Sequence, residues 1–461
     1  MKRILAILLG AVVSLSAVVS AHEGEDDMKG MKVMGNTHPS PLETPQATHQ
    51  THHMPGATQK AGTGAPEGIA PPSPTDPDPM AMMETMEPTD RWMTMLHGYA
   101  FLNLNRQGGP AGDRNFESQN HLMAMAVRKW GGGKLSLLGT FTLEPATIPG
   151  RGSSQLFQRG ETFNDVLLID RQHQHDLFVQ LAVAWERSLN DTFKLRVYVA
   201  PRGEPALGPV AYPHRLSASE NPTATLSHHN QDSTHIANDV ATLSLTASIF
   251  TIEGSVFSGR EPDENRWDVE QRSPDSFSGR IWARPTRDLA LQVSVGKLKH
   301  PEAIEDGDQT RTTASISYQR GFDDGYLAVT AILGHNQTAD GAEWGNTLEG
   351  TWKFARSNFV YARLEDVDRD LYELVNKRQR PQGVPHEKTR VQAGTLGYVR
   401  NVPLIKEAET GLGADLTLHS FDSRLDSIYS GHPVSAHFFF RVRFSSGVGM
   451  DHGMSHGGMK M

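Results

Sequence analysis

The sequence contains no cysteine among its 461 residues, so it can form neither disulfide bonds nor thiolate metal sites. Charged residues make up 21% of the chain and the formal net charge is −9, so nothing in the charge balance suggests nucleic-acid binding. Methionine is also nearly absent from the middle of the chain. Between residues 91 and 446 it occurs only as Met93, Met95, Met123 and Met125.

The chain begins with the pattern of a secretory signal peptide. Lys2 and Arg3 precede an apolar run over residues 4–19, and small residues follow up to Ala21. This pattern predicts a signal peptide over residues 1–21, and its apolar run is too short for a membrane-spanning helix. The mature protein is therefore expected to be exported.

Composition divides the remaining chain into three zones. Residues 22–90 are rich in Pro, Thr, Gly, Met and His, and we expect a disordered periplasmic segment there, because it cannot bury enough apolar surface to fold. Residues 91–446 alternate between apolar and polar side chains. Residues 447–461, "GVGMDHGMSHGGMKM", return to the Met/His composition and are expected to form a periplasmic tail.

The middle zone predicts an all-β fold. A hydrophobic period of two recurs in segments long enough to cross a bilayer as tilted strands, and their even number and alternating short and long connections are typical of an outer-membrane antiparallel β-barrel. The sixteen predicted strands are 93–105, 119–131, 134–144, 175–188, 192–200, 239–247, 249–258, 276–284, 288–298, 310–320, 324–335, 346–356, 358–367, 390–400, 407–419 and 434–445.

A soluble β-sandwich or propeller is the alternative, since alternation alone does not tell the inner face from the outer face. The barrel hypothesis predicts a polar lumen, and the soluble alternative predicts an apolar core. The aromatic final strand, which ends near Phe444, favours the barrel. The lumen would then contain Arg196, Arg280, Glu349, Lys353, Arg363 and Glu365.

The composition of the two tails indicates copper binding. Thioether sulfur is a soft ligand and imidazole an intermediate one, a combination that favours Cu(I), with Cu(II), Ag(I) and Zn(II) as other candidates. In the C-terminal tail, His452, Met454 and His456 are the predicted ligands. The alternative is a low-complexity linker in which Met and His are incidental.

The four methionines of the middle zone predict a second group of ligands. On a strand, residues two apart share a face, so Met93, Met95 and His97 line one face of the first strand, and His121, Met123 and Met125 one face of the second. A register in which paired residue numbers sum to 218 would set Met93 against Met125, Met95 against Met123 and His97 against His121. The alternative role for the methionines is packing of an irregular barrel interior.

A signal peptide, a Met/His-rich periplasmic segment and a β-barrel together resemble the outer-membrane copper-resistance proteins of the copper resistance protein B type. The resemblance rests on this layout and on the Met/His content. It implies an outer-membrane protein of copper resistance, with periplasmic copper-binding proteins or efflux components as its partners.

Two long connections carry further histidines, His173 and His175 in one, and His228 and His235 in the other together with Asp232. If the two connections meet, these groups could form a Zn(II) or Cu(II) site, although polar loops also contain such residues by chance. An outer-membrane hydrolase would need a serine near His228, and Ser217, Ser227 and Ser233 are the candidates. The charged runs 259–264 and 367–380 are expected to be solvated loop tips.

The sequence therefore predicts a non-enzymatic, copper-binding barrel in the outer membrane, acting in copper resistance, sequestration or export. A general or substrate-specific porin with incidental tails is the main alternative. The hydrolase is the weaker one.

Overall fold

The computed structural model describes residues 87–302 and 307–447. Within these ranges no helix is both long enough and apolar enough to cross a membrane. The predictions for the signal peptide, for nearly all of the N-terminal segment and for the C-terminal tail, including His452, Met454 and His456, lie outside the described residues. The strands are β1 (Met93–Arg106), β2 (Arg114–Trp130), β3 (Gly133–Phe141), β4 (Ser153–Phe163), β5 (Val166–Gln172), β6 (Phe178–Ser188), β7 (Phe193–Gly203), β8 (Ala237–Ala247), β9 (Phe250–Ser258), β10 (Ser276–Thr286), β11 (Leu289–Leu298), β12 (Gln309–Phe322), β13 (Gly325–Thr338), β14 (Gly341–Phe354), β15 (Asn358–Asp370), β16 (Lys388–Asn401), β17 (Glu409–Phe421) and β18 (Val434–Gly447).

Sixteen of these strands form one closed antiparallel barrel, in which β1 pairs with both β2 and β18. Closure gives each of these sixteen barrel strands two hydrogen-bonded neighbours, so no edge of the barrel sheet is left without a partner. The predicted fold class is confirmed, and each predicted segment corresponds to one barrel strand. Sequence reasoning missed β4 and β5, which form a separate two-stranded hairpin inside a predicted loop.

The apolar faces of the strands point outward. On β1, Leu102 and Leu104 are 43% and 53% exposed, whereas Phe101, Asn103 and Asn105, which alternate with them, are at most 3% exposed. Buried charged side chains occupy the interior, with Glu349, Arg363 and Glu365 among those predicted to lie there. This arrangement is the reverse of a soluble β-protein and matches a barrel surrounded by lipid.

The two ends of the barrel differ in their connections. At the end where β1 begins and β18 finishes, Met95 pairs with Gly447, so both chain ends enter the barrel there. Connections at this end are short, such as 131–132 and 323–324, while the opposite end carries the long ones, 142–177, 204–236, 259–275 and 371–387. The connection 339–340 at the long end is an exception, because β13 and β14 extend further than predicted.

The connection 204–236 does not extend into solvent but folds into the lumen. Every residue from 202 to 236 is buried or half-buried. The segment bonds to the wall on several sides: Arg215 contacts Glu349 of β14, Leu226 contacts Glu365 of β15, and Glu220 contacts Arg441 of β18. We call residues 204–236 the plug. The β4–β5 hairpin lies beside it, with Gln158 donating to the carbonyl of Thr225.

Candidate metal-binding interior

The first two strands pair in a register two residues away from the predicted one. Paired residue numbers sum to 220, which sets Met95 against Met125, His97 against Met123 and Tyr99 against His121. The predicted pairing of His97 with His121 is therefore wrong. Because the shift is an even number, every predicted ligand keeps its inward direction. Met95, Met123 and Met125 are each about 4% exposed or less.

The methionine side chains pack among apolar neighbours inside the barrel. Met95, Met123 and Met125 share one buried cluster with Val127 and Leu138, and Met93 packs against it. Such packing is what the structural role predicts. The cluster also borders a cavity of about 40 Å³, whose lining includes Met123, His97, His121, His175 and His214. The thioether of Met123 therefore adjoins the imidazoles around this cavity.

A continuous row of imidazoles runs from this cavity towards the long connections. We call its seven members the histidine row: His121, with His214 beside it, and then His175, His235, His228, His173 and His229. Neighbouring ring centroids lie 5.1–6.1 Å apart, the closest being His175 to His235 at 5.1 Å, followed by His228 to His235 and His228 to His229 at 5.3 Å. The two predicted groups of histidines, one on the strands and one in the loops, thus meet in a single row.

Four histidines of the row are held by acceptors at Nδ1. The Nδ1 atom of His175 lies 2.8 Å from Glu144 Oε2, that of His228 lies 2.7 Å from Asp232 Oδ1, and that of His235 lies 2.9 Å from the carbonyl oxygen of Asp232. His173 bonds the carbonyl of Gln174 in the same way at 3.1 Å. A neutral ring that donates from Nδ1 carries its lone pair on Nε2, as metal-bound histidines commonly do.

On two of these rings, His173 and His235, the opposite nitrogen lacks a partner, whereas His175 Nε2 lies 3.5 Å from the hydroxyl of Tyr212. In the described part of the chain, the buried Nε2 atoms of His121, His173 and His235 and the Nδ1 atom of His97 have no hydrogen bond. A buried polar atom without a partner is costly, so its repetition at several neighbouring rings requires a cause. Ligation of a metal ion would satisfy these nitrogens.

Burial keeps three of the four plug histidines, His214, His228 and His235, neutral. At His229 burial also acts to lower the pKa, but the carboxylates of Glu261 and Glu302 outweigh it and raise the pKa to about 10. Desolvation lowers the pKa of His228 to about 4, even though Asp232 acts in the opposite direction, and it holds the pKa of His235 well below its ordinary value. Desolvation likewise lowers the pKa of His214 to about 4. Neutral imidazole is the form that binds metals, so these rings need not lose a proton before binding.

The spacing of the rings suits ions shared between pairs of histidines. With a metal–nitrogen distance of about 2.0 Å, two imidazoles on one tetrahedral ion have centroids roughly 5 Å apart, close to the shortest distances in the row. Groups with three His or carboxylate ligand atoms mutually within 4.8 Å, among the described residues, are His229–Glu261–Glu302 and the more exposed Asp263–Asp268–Glu270. The middle of the row therefore offers pairs of donors rather than closed cages.

Sequence reasoning missed several members of this interior. His214, His229, Tyr212 and Glu144 were not among the predicted ligands. Tyr212 lies between rings, 5.4 Å from His228 and 6.0 Å from His175 by centroid distance. The recurrence of histidine in one long connection was the available signal for His214 and His229. Nothing in the sequence indicated that Glu144 would bond His175.

The serines proposed as nucleophiles are bonded elsewhere. Ser227 bonds the hydroxyl of Thr347, Ser233 accepts from Arg311, and Ser217 donates to Thr330 and Glu349. No serine of the described chain forms a hydrogen bond with His228 that would make a nucleophile–base pair. The geometry gives the hydrolase hypothesis no support.

Neither a protein-family model nor a curated protein matches the sequence. In fold, the chain is similar to an anion-selective porin from Comamonas acidovorans, with a TM-score of 0.48 and 12% identity over 77% of this chain and 100% of the porin. The outer membrane channel DcaP of Acinetobacter baumannii gives 0.42 and 12% over 77% and 96%. Salmonella typhi OmpF, in complex with daunomycin, gives 0.44 and 9% over 76% and 97%. The likeness concerns the barrel architecture, which is porin-like.

Proposed function

We propose that this protein is a porin-like barrel of the outer membrane that binds copper in its lumen and passes or stores it there, as part of copper resistance. The observation that carries the proposal is the histidine row, in which four rings have an acceptor at Nδ1 and the buried Nε2 atoms of His121, His173 and His235 have no hydrogen bond within the described chain. The apolar outer face of the barrel supports the membrane location.

The donor types favour Cu(I) over other ions. Thioethers border one end of the row and imidazoles form the rest, with no thiolate available. Zn(II) in a closed site prefers four ligands, whereas Cu(I) accepts low coordination numbers, so donor pairs suffice for it. Ag(I) would bind for the same reason. Cu(I) would move along the row by ligand exchange, because neighbouring rings are close enough to bind the same ion.

The second candidate function is a solute channel of the porin kind. The closed sixteen-stranded barrel with a charged interior favours it. The plug opposes a wide pore, because residues 204–236 bond to the wall at β14, β15 and β18. A narrow path lined by imidazoles suits a bare ion better than a hydrated solute.

The test is Cu(I) retention by the full-length protein in detergent micelles against a chromogenic Cu(I) chelator. In H175Q/H235Q, two row members lose their imidazoles, and we expect retained Cu(I) to fall by at least one equivalent. The matched control is H335Q, because His335 lies beside Trp344 and outside the row. Migration of unheated protein on a denaturing gel reports folding of each variant.

Retention equal to that of the unchanged protein in the folded H175Q/H235Q variant would overturn the copper proposal. Planar-bilayer conductance separates the two functions further. A large, steady conductance that H175Q/H235Q leaves unchanged would support the solute channel, and a small conductance supports the plugged, metal-binding barrel.

A further inference from the structure

A different group of ligands lies at the end of the histidine row nearest the long connections. His229 Nδ1 lies 3.0 Å from Glu261 Oε1 and 3.5 Å from Glu302 Oε1. One ligand atom from each residue lies within 4.8 Å of the other two. His229 belongs to the plug, Glu261 follows β9 and Glu302 follows β11, so three separate segments converge here. We call this group the mouth site.

The mouth site is buried and its polar atoms are not satisfied by protein. The side chain of Glu261 is 8% exposed, and those of His229 and Glu302 are 11% and 12% exposed. Both carboxylate oxygens of Glu261 and both ring nitrogens of His229 lack a hydrogen bond of good geometry within the described ranges. A buried carboxylate without such partners is expensive, and a cation beside Glu261 would offset that cost.

Neighbouring groups hold the ligands without competing for them. Arg311 is the nearby cation, but it donates to Gln309, Asn336 and Ser233. The ring of His229 lies directly over Gly160, where a Cβ atom would come 2.1 Å from His229 Nε2. Only glycine leaves room for the imidazole at that place, and the backbone of the hairpin thus fixes the ring against the two carboxylates.

We propose that the mouth site binds a divalent transition-metal ion, Zn(II) or Cu(II), through His229, Glu261 and Glu302. An imidazole with two carboxylates is a harder donor set than thioethers and imidazoles, and three protein ligands with one open position are typical of exchangeable zinc sites. Its position at the far end of the row makes it an outlet or an entry for metal, a role that rests on the proposed function. Metal binding at the mouth site does not depend on the proposed function.

The competing account is a protonated His229 held as an ion pair between the two glutamates, with no metal. Zn(II) titration of the full-length protein by calorimetry distinguishes them. We expect E261Q/E302Q to lose one Zn(II) equivalent or to bind it more than about 100-fold more weakly, since even outer-shell losses cost roughly 10–100-fold. D288N, whose carboxylate pairs with Arg320 outside both groups of ligand atoms, is the matched control and should titrate like the unchanged protein.

Unchanged Zn(II) binding in the folded E261Q/E302Q variant would overturn the mouth site. If the double variant does not fold, E302Q alone provides the test, because Glu302 lies at the rim of the group. Parallel Cu(I) retention keeps the two proposals separate. Loss of Zn(II) binding in E261Q/E302Q with unchanged Cu(I) retention supports the mouth site alone. If E261Q/E302Q loses Zn(II) binding but H175Q/H235Q retains as much Cu(I) as the unchanged protein, only the copper proposal is overturned.

Discussion

At the scale of single residues, the interior chemistry depends on how each imidazole is oriented. Glu144 accepts hydrogen bonds from both the backbone nitrogen and the Nδ1 atom of His175, at 2.9 and 2.8 Å. Asp232 holds His228 through its carboxylate and His235 through its carbonyl. Two acidic residues thus orient three rings of the row, and a carboxylate behind an imidazole also raises its basicity as a ligand.

This dependence predicts the effect of removing one orienting charge. In E144Q the shape of the side chain is kept while the carboxylate behind His175 is lost, so we expect Cu(I) to be retained about 10–100-fold more weakly. E117Q is the matched control, because Glu117 is equally buried in the lumen but bonds Asn105 and Ser153 instead. Competition with a chelator measures both variants. Equal retention in E144Q and E117Q would contradict an orienting role.

The inward direction of the predicted ligands could be read from the sequence, but their exact partners could not. A strand alternates strictly, so Leu102 and Leu104 on the lipid face fix Met93, Met95 and His97 on the other. Register is a different matter. The register of β1 against β2 depends on the length of the connection 107–113 and on contacts across the barrel. A shift by two residues leaves every side chain on the same face, so the sequence pattern could not reveal it.

At the scale of elements, the plug is fixed by buried charges. Arg215 lies between Asp232 of the plug and Glu349 of β14, at 2.6 and 2.7 Å, and its side chain is 3% exposed. Arg363 of β15 contacts the same glutamate at 3.0 Å. Buried ion pairs contribute little net stability when complete, but they are costly when one partner is removed. The network therefore determines where the plug can lie.

A single substitution should loosen the plug. In R215A two buried carboxylates lose their shared cation, and we expect the free energy of unfolding to fall by about 3–5 kcal/mol. The planar-bilayer conductance should rise at the same time. R320A removes an arginine whose pair with Asp288 is at the surface, with the arginine side chain 59% exposed, and should cost at most about 1 kcal/mol. Chemical denaturation in micelles and conductance check both. A stable, non-conducting R215A variant would show that the plug is held by other contacts.

The barrel strands were predictable because each has one face in lipid. The elements inside the lumen have no lipid-facing side. Strand β4 of the hairpin is buried on both faces, so its sequence lacks alternation. Its register is interrupted, and Phe157, Glu161 and Asp170 adopt positive φ angles. For the same reason, the prediction that the whole charged run 259–264 is a solvated loop tip was wrong. Glu261 within it is buried, and only the fold brings His229 to it.

At the scale of the whole molecule, the ligands change in kind from one end of the barrel to the other. Thioethers lie near the end where both chain termini enter, imidazoles fill the middle, and an imidazole with two carboxylates lies at the end of the long connections. Soft donors favour Cu(I) and harder donors favour divalent ions. The candidate ligands are thus ordered by hardness along the barrel axis, a polarity that an ordinary diffusion pore does not need.

This polarity predicts what the two Met/His-rich segments contribute. They are joined to the barrel at its thioether end, so we expect them to capture Cu(I) and load the row. A chain of residues 87–447 should retain fewer Cu(I) equivalents than the full chain and fill more slowly from a Cu(I) donor, while the equivalents bound by the row persist. Introducing H175Q/H235Q into that shortened chain should then remove most of the remainder. Stopped-flow loading and chelator competition measure rate and capacity separately. A shortened chain with the rate and capacity of the full protein would mean that the segments are incidental, because a capture role requires at least one of the two quantities to fall.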